Sequence, residues 1–180
     1  MSFSDAQKVV ALSDKIRKAG NELVGLMRKH YDQLMRTKRY RKLLRLYGST
    51  ENKSIRNNLA IQLNDMQKQY NVTWDYCRRS MIPIGKKYGI DAIFALTKAE
   101  DIWRGIEKCL YGNGNAIHFS KYGDLPCIRA KQINRGIPIS VKDNKLSFKL
   151  GKSIFGVKVK DRFQTDEVNA VLDYLVKPET

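Results

Sequence analysis

Acidic residues are scarce in this sequence: 18 Asp and Glu stand against 34 Lys and Arg in 180 residues, a formal net charge of +16. A metal-dependent nuclease needs several carboxylates converging on its ions. Two adjacent acidic pairs stand out, Glu100-Asp101 and Asp166-Glu167, and both read more simply as first-turn residues at the positive end of a helix. Cysteine and histidine are scarcer still. Cys77, Cys109 and Cys127 are odd in number and far apart, no Cys-x-x-Cys occurs, and His30 and His118 stand alone. That speaks against a zinc site and leaves serines and cysteines without a nearby histidine base. It also suits a reducing cytoplasm better than a disulfide framework. Gly112-Asn113-Gly114 lies between an expected helix and an expected strand, the wrong order for a phosphate-cradling loop. The expectation is a chain with no catalytic centre, no metal and no cofactor.

Long apolar runs are missing too. None approaches the roughly 20 residues of a spanning helix, and the opening Met1-Ser2-Phe3-Ser4-Asp5 lacks the pattern of a signal peptide. An anionic membrane would call for an amphipathic anchor or a polybasic block beside a lipidation site, and the sequence has neither. A cytoplasmic protein without a membrane partner is expected. What remains is 42% hydrophobic residues, enough for a folded core, under a positive field that attracts polyanions, of which phosphate backbones are the commonest.

The pattern changes character near residue 112. Before it, apolar residues recur at helical spacing. Leu12, Ile16, Ala19, Leu23, Leu26, Met27 and Leu34 predict a helix from about Asp5 to Tyr47, bent or broken at Gly20 and Gly25 and stopped by Gly48. Ser49 or Thr50 would cap a second helix reaching Ser80 through Ile55, Leu59, Leu63, Met66, Tyr70 and Trp74. Pro83 and Gly85 interrupt, a short helix follows at Ile90–Leu96, and the capping box Thr97-Lys98-Ala99-Glu100 opens another, closed by Gly112. From Ala116 the period is two: Ile117 and Phe119, then Ile137, Ile139 and Val141, then Leu146, Phe148 and Leu150, then Val157 and Val159. About five strands are expected, then a helix from about Asp166 to Val176 capped by Thr165. The fold class expected is α+β: a long-helix bundle over 1–111, then a small antiparallel β-barrel with a C-terminal helix over 112–180.

Charge falls on this frame unevenly. Lys38, Arg41, Lys42 and Arg45 are spaced i, i+3, i+4, i+7, and Tyr40, Leu43, Leu44 and Tyr47 repeat that spacing two residues on. Two residues turn a helix by about 200°, so the two sets are opposite faces. Arg17, Arg28 and Arg39 recur every 11 residues and predict a stripe. From Lys8 to Arg45 there are 12 basic and 3 acidic residues, and from Tyr111 to Gln164 there are 11 basic against Asp124, Asp143 and Asp161. On the strands the lysines, Lys149 among them, alternate with the apolar residues, which suits a phosphate-tracking surface. The plainer reading of both patches is a solvated helix face and lysines guarding a sheet edge. Trp74, Trp103, Phe94 and Phe119 are expected in the core. Tyr31, Tyr40 and Tyr122 stand beside basic residues and are possible partners for bases.

The run Leu96-Thr97-Lys98-Ala99-Glu100-Asp101-Ile102-Trp103, then Leu110-Tyr111-Gly112-Asn113-Gly114, Ile117-His118-Phe119-Ser120-Lys121-Tyr122-Gly123-Asp124 and Ile128-Arg129-Ala130-Lys131-Gln132 resembles the middle of the N-terminal half of TnpB-like proteins. These are transposon-encoded RNA-guided nucleases related to type V CRISPR effectors. The resemblance covers under half of the chain. It implies a helical recognition lobe and a β-barrel wedge that hold guide RNA and guide–target duplex by backbone and shape, with Lys121, Arg129, Lys131 and Arg135 as RNA contacts. The RNase H-like nuclease domain and zinc ribbon of such enzymes have no counterpart in these 180 residues, nor does the opening wedge strand. The expectation is therefore a fragment, split subunit or nuclease-free relative that binds structured RNA and a DNA target duplex, with a separate nuclease subunit as a further partner. The rivals are a DNA-binding transcriptional regulator and a structural protein of another ribonucleoprotein.

Overall fold

The apolar stripe that opens the sequence forms one unbroken helix, α1 (Phe3–Arg36). A computed structural model describes residues 3–112, 114–124, 128–129, 137–142, 145–151 and 153–158. Along α1, Ile16, Ala19, Leu23, Met27 and Leu34 are buried. Neither Gly20 nor Gly25 bends it out of helix. A Cβ at Gly20 would lie 2.5 Å from Lys98 Cε, and one at Gly25 would lie 3.8 Å from the Phe119 ring. Gly20 is thus a point of close approach to the Lys98 side chain, while a Cβ at Gly25 would make only an ordinary van der Waals contact.

The break comes at Thr37, where the backbone turns extended (φ −71°, ψ 117°). The Thr37 hydroxyl donates to the Gln33 carbonyl at 3.2 Å and meets the Tyr70 hydroxyl at 3.1 Å. Helix α2 (Lys38–Ser49) follows and runs past Gly48. The cap of α3 (Lys53–Gln69) is Asn52 rather than Ser49 or Thr50, its side chain accepting from the Ser54 and Ile55 amides. The expected single helix to Ser80 divides before Trp74. Asn71 takes a positive φ of 60°, and Thr73 caps α4 (Trp74–Tyr88) by accepting from the Tyr76 amide.

Pro83 and Gly85 lie inside α4. Proline costs one backbone hydrogen bond and crowds the preceding turn. The helix nevertheless continues, because its buried face, Met81, Ile84 and Gly85, packs on α5 (Ala92–Leu110). A Cβ at Gly85 would stand 3.0 Å from that of Ala95. Gly89, left-handed at φ 63°, ends α4, and the Ile90 amide reaches back to the Gly85 carbonyl at 2.9 Å. The expected capping box at Thr97–Glu100 is not a helix start. Asp91 caps α5, accepting from the Ile93 amide at 3.0 Å, and the Thr97 hydroxyl, mid-helix, donates to the Ile93 carbonyl.

The chain divides into two compact units: Asp14–Pro126, and Met1–Ser13 together with Cys127–Thr180. Residues 114–124, beyond the sequence boundary at 112, thus belong with the helices. Ile117–Phe119 forms no strand. Ile117 is buried, and both backbone groups of Ser120 bond the Asn21 side chain at 2.9 Å, so a side-chain amide takes the place of a neighbouring strand.

The second unit carries a three-stranded antiparallel open sheet in the order β1 (Ile139–Lys142), β2 (Lys145–Leu150), β3 (Ser153–Lys158). Alternation sets its register. Ile139, Phe148 and Phe155 align across the strands, as do Ser140, Ser147 and Gly156, and the Phe148 and Phe155 rings stack at 5.2 Å. Gly151 at φ 58° opens the β2–β3 turn. The α+β class holds, but the described strands make an open sheet where a barrel was expected. Val159 and the helix over 166–176 lie outside the described residues, as do Cys127 and the pair Asp166-Glu167. Among the described residues, no helix is long and apolar enough to cross a membrane.

Candidate nucleic-acid interface

Helix α2 has two faces because its sequence does. Tyr40 and Leu43 are buried, Leu44 and Tyr47 half-buried, and Lys38, Arg39, Arg41, Lys42 and Arg45 exposed. The inner face packs on α3. The buried Tyr40 hydroxyl accepts from Gln67 Nε2 at 3.0 Å, and desolvation holds that phenol above its usual pKa. The Arg56 guanidinium covers the Tyr47 ring, 4.8 Å from its centroid. The outer face has no such partners. Helix α2 contains no acidic residue, and none of its five cations makes a salt bridge with a described residue. Arg45 Nε donates instead to the Arg41 carbonyl, 3.4 Å away. Three of the cations, Lys38, Arg39 and Arg41, sit in or beside the first turn, where the helix dipole opposes positive charge. The arrangement works against the helix, as functional surfaces commonly do.

Several cations elsewhere in the helical unit are matched locally, while others, Lys15, Lys29, Lys86 and Lys108 among them, make no salt bridge with a described residue. Arg17 is buried and donates through Nε and an Nη to the same Asp14 oxygen, at 3.0 and 2.7 Å. Lys18, and after it Arg17, hold the Asp14 carboxyl below its usual pKa. Arg28 reaches Asp32 at 3.9 Å, Arg78 and Arg79 share Asp75, Arg104 meets Glu100, and Lys87 binds Glu22 at 2.7 Å. The expected stripe of Arg17, Arg28 and Arg39 does not form. Arg17 turns inward, and the break at Thr37 puts Arg39 on a different helix.

A second set of residues gathers in 114–124. Lys121 is exposed, and its amide donates to Asp124 Oδ2 at 2.9 Å in a turn closed by Gly123 at φ 87°. Phe119, expected in the core, is half exposed at 48%, and Tyr122 is 92% exposed. Trp74 also reaches the surface, Trp103 is half-buried, and Phe94 alone of the four is fully buried. The alternating apolar pattern around Phe119 hid this exposure. A signal was available in His118-Phe119-Ser120-Lys121-Tyr122, where aromatics and a cation interleave. Beside this segment a cleft of about 250 Å³ is lined by Gly20, Asn21, Lys98, Asp101 and His118.

In the sheet unit, Lys149 and Arg129 are exposed. Lys142, Lys145 and Lys158 fall in one backbone register row across the three strands. Lys131 and Arg135 lie outside the described residues. Tyr31 donates to the Cys109 carbonyl, and burial pushes the Cys77 thiol up to about 12. Among the described residues, no three His, Cys, Asp or Glu side chains are grouped to hold a metal ion. The exposed face of α2 offers closely spaced positive charges, Lys38, Arg39, Arg41, Lys42 and Arg45, that a chain of phosphates could meet. No family model matches the chain, and no curated protein or solved structure matches it either.

Proposed function

We propose that this protein is a non-catalytic RNA-binding protein that holds a structured RNA by its phosphate backbone. One observation carries the reading: five exposed cations on a twelve-residue helix without an acidic residue, none paired with a described neighbour. Each such charge placed against a phosphate releases condensed counterions, which makes affinity steep in salt and indifferent to sequence. A sequence-reading regulator would present a recognition helix with Asn, Gln or Arg placed for base edges. The face of α2 has no Asn or Gln, and its Lys and Arg are spread along the whole helix.

The finer proposal is that the RNA is a guide, held with its target duplex inside an RNA-guided nuclease system. That step rests on the resemblance of residues 96–132 to TnpB-like proteins. Sequencing the RNA that copurifies with the full chain tests it. A single structured species encoded beside a transposon end or repeat array is the expected result. Random cellular RNA would remove the guide reading and leave general RNA binding, and the absence of bound RNA, with no binding in titration, would remove both.

A further inference from the structure

Phosphate contacts hold an RNA without telling paired from unpaired regions. The segment 117–122 supplies what that surface lacks. Its backbone is fixed at three points: Ile117 is buried, Ser120 exchanges two 2.9 Å hydrogen bonds with the Asn21 side chain, and Lys121 is tied to Asp124. Between these anchors His118, Phe119, Lys121 and Tyr122 point outward, with Phe119 48% and Tyr122 92% exposed. A single exposed aromatic needs no explanation. Two aromatics, a histidine and a lysine on a braced loop of six residues make an unusual surface, because bracing removes the conformational cost that a free loop would meet on binding.

Tyr122 shows the purpose most clearly. A ring exposed to this degree contributes little to the core. The Arg17 guanidinium nevertheless lies 5.5 Å from its centroid, itself fixed by two hydrogen bonds to Asp14. A cation held at a tyrosine ring orients it, and most of the ring surface remains open. Oriented, open aromatics next to lysine are the elements by which proteins stack unpaired bases.

We infer that the loop from His118 to Tyr122 is a stacking platform for unpaired bases of the bound RNA, with Phe119 and Tyr122 as the stacking rings and Lys121 on the adjoining phosphate. The inference rests on the RNA-binding reading and adds to it a division of labour. Helix α2 supplies affinity for any phosphate chain, and the loop supplies preference for single strands.

The test uses the full chain, a single-stranded RNA of about 15 nucleotides, within the range of single-strand site sizes, and the duplex of the same sequence. The variants are Tyr122→Ala, which removes no core contact, and Phe119→Leu, which keeps the apolar contact near Gly25. Each should weaken single-strand binding by about tenfold, leave duplex binding unchanged, and leave the salt slope unchanged, because stacking releases no counterions. A 2-aminopurine in the single strand should be quenched by the wild type and less by Tyr122→Ala. Full single-strand affinity with full quenching in both variants would overturn the platform while leaving RNA binding intact. Equal losses on single strand and duplex would overturn it too. If the wild type binds neither RNA, the underlying reading fails, and the platform with it.

Discussion

Lys38, Arg41, Lys42 and Arg45 are spaced so that one arithmetic, 100° per residue, exposes them and buries Tyr40 and Leu43 behind them. Replacing all four by Gln keeps helix propensity nearly level and relieves mutual repulsion. Thermal stability should hold or rise, while RNA affinity drops and the salt slope flattens by up to about 0.7 per lost contact. Binding titrations at several salt concentrations beside a thermal melt check both halves. The inner-face control is Leu43→Ala, expected to cost about 2–5 kcal/mol in a denaturant titration, because Leu43 is buried and Leu44 only half so. His30 gives a pH signature. Its ring meets the Tyr76 hydroxyl at 3.1 Å, and desolvation, reinforced by Lys29, lowers its pKa below 6.5. The folded state thus favours the neutral ring. The stabilisation is complete above about 6.5 and is lost as pH falls from there through the lower folded value. Unfolding free energy should decline across that window in the wild type and decline less in His30→Gln.

Among elements, the helices were readable where periodicity alone decides and misread where a single residue seemed to decide. Gly20, Gly25, Pro83 and Gly85 were all expected to interrupt, and all lie inside helices, because tertiary contacts outweigh a local penalty of about 1 kcal/mol for glycine and about 3 for proline. Thr97 illustrates the reverse error: a capping sequence with an unbroken helix around it. Gly48 is helical and meets nothing within 4 Å of a Cβ position. Gly48→Ala should therefore stabilise the chain by about 0.4–1 kcal/mol, measured by chemical denaturation. The loop 114–124 depends on Asn21. Asn21→Ala removes a donor and an acceptor together and should cost about 1–3 kcal/mol. It should also sharply speed amide exchange at Ser120, and unchanged exchange there would show that the loop is held by other means.

At the scale of the whole molecule, a net charge of +16 means that folding and binding respond to salt in opposite directions. Screening weakens self-repulsion in the folded chain but also removes the entropy gained from counterion release. Raising monovalent salt from about 50 to about 200 mM should raise the melting temperature of the free protein. The same change should lower RNA affinity by about 10³-fold if six phosphates are engaged. A melting temperature that falls over this range, or an affinity that does not, would show that the charge is balanced by pairing not seen among the described side chains.

The sequence by itself determined the α+β class, the amphipathic division of α2 and the alternation that registers the sheet, because each follows from a period of 3.6 or 2 within one element. It left open which cations are free. Arg17 and Arg41 look alike in the sequence, yet one is buried against Asp14 and the other stands in solvent. It also misplaced Phe119 and Ile117–Phe119 as core and strand. Tertiary structure decided those points, because whether a side chain is buried and whether a backbone amide meets a strand or Asn21 depends on residues as much as 99 positions away.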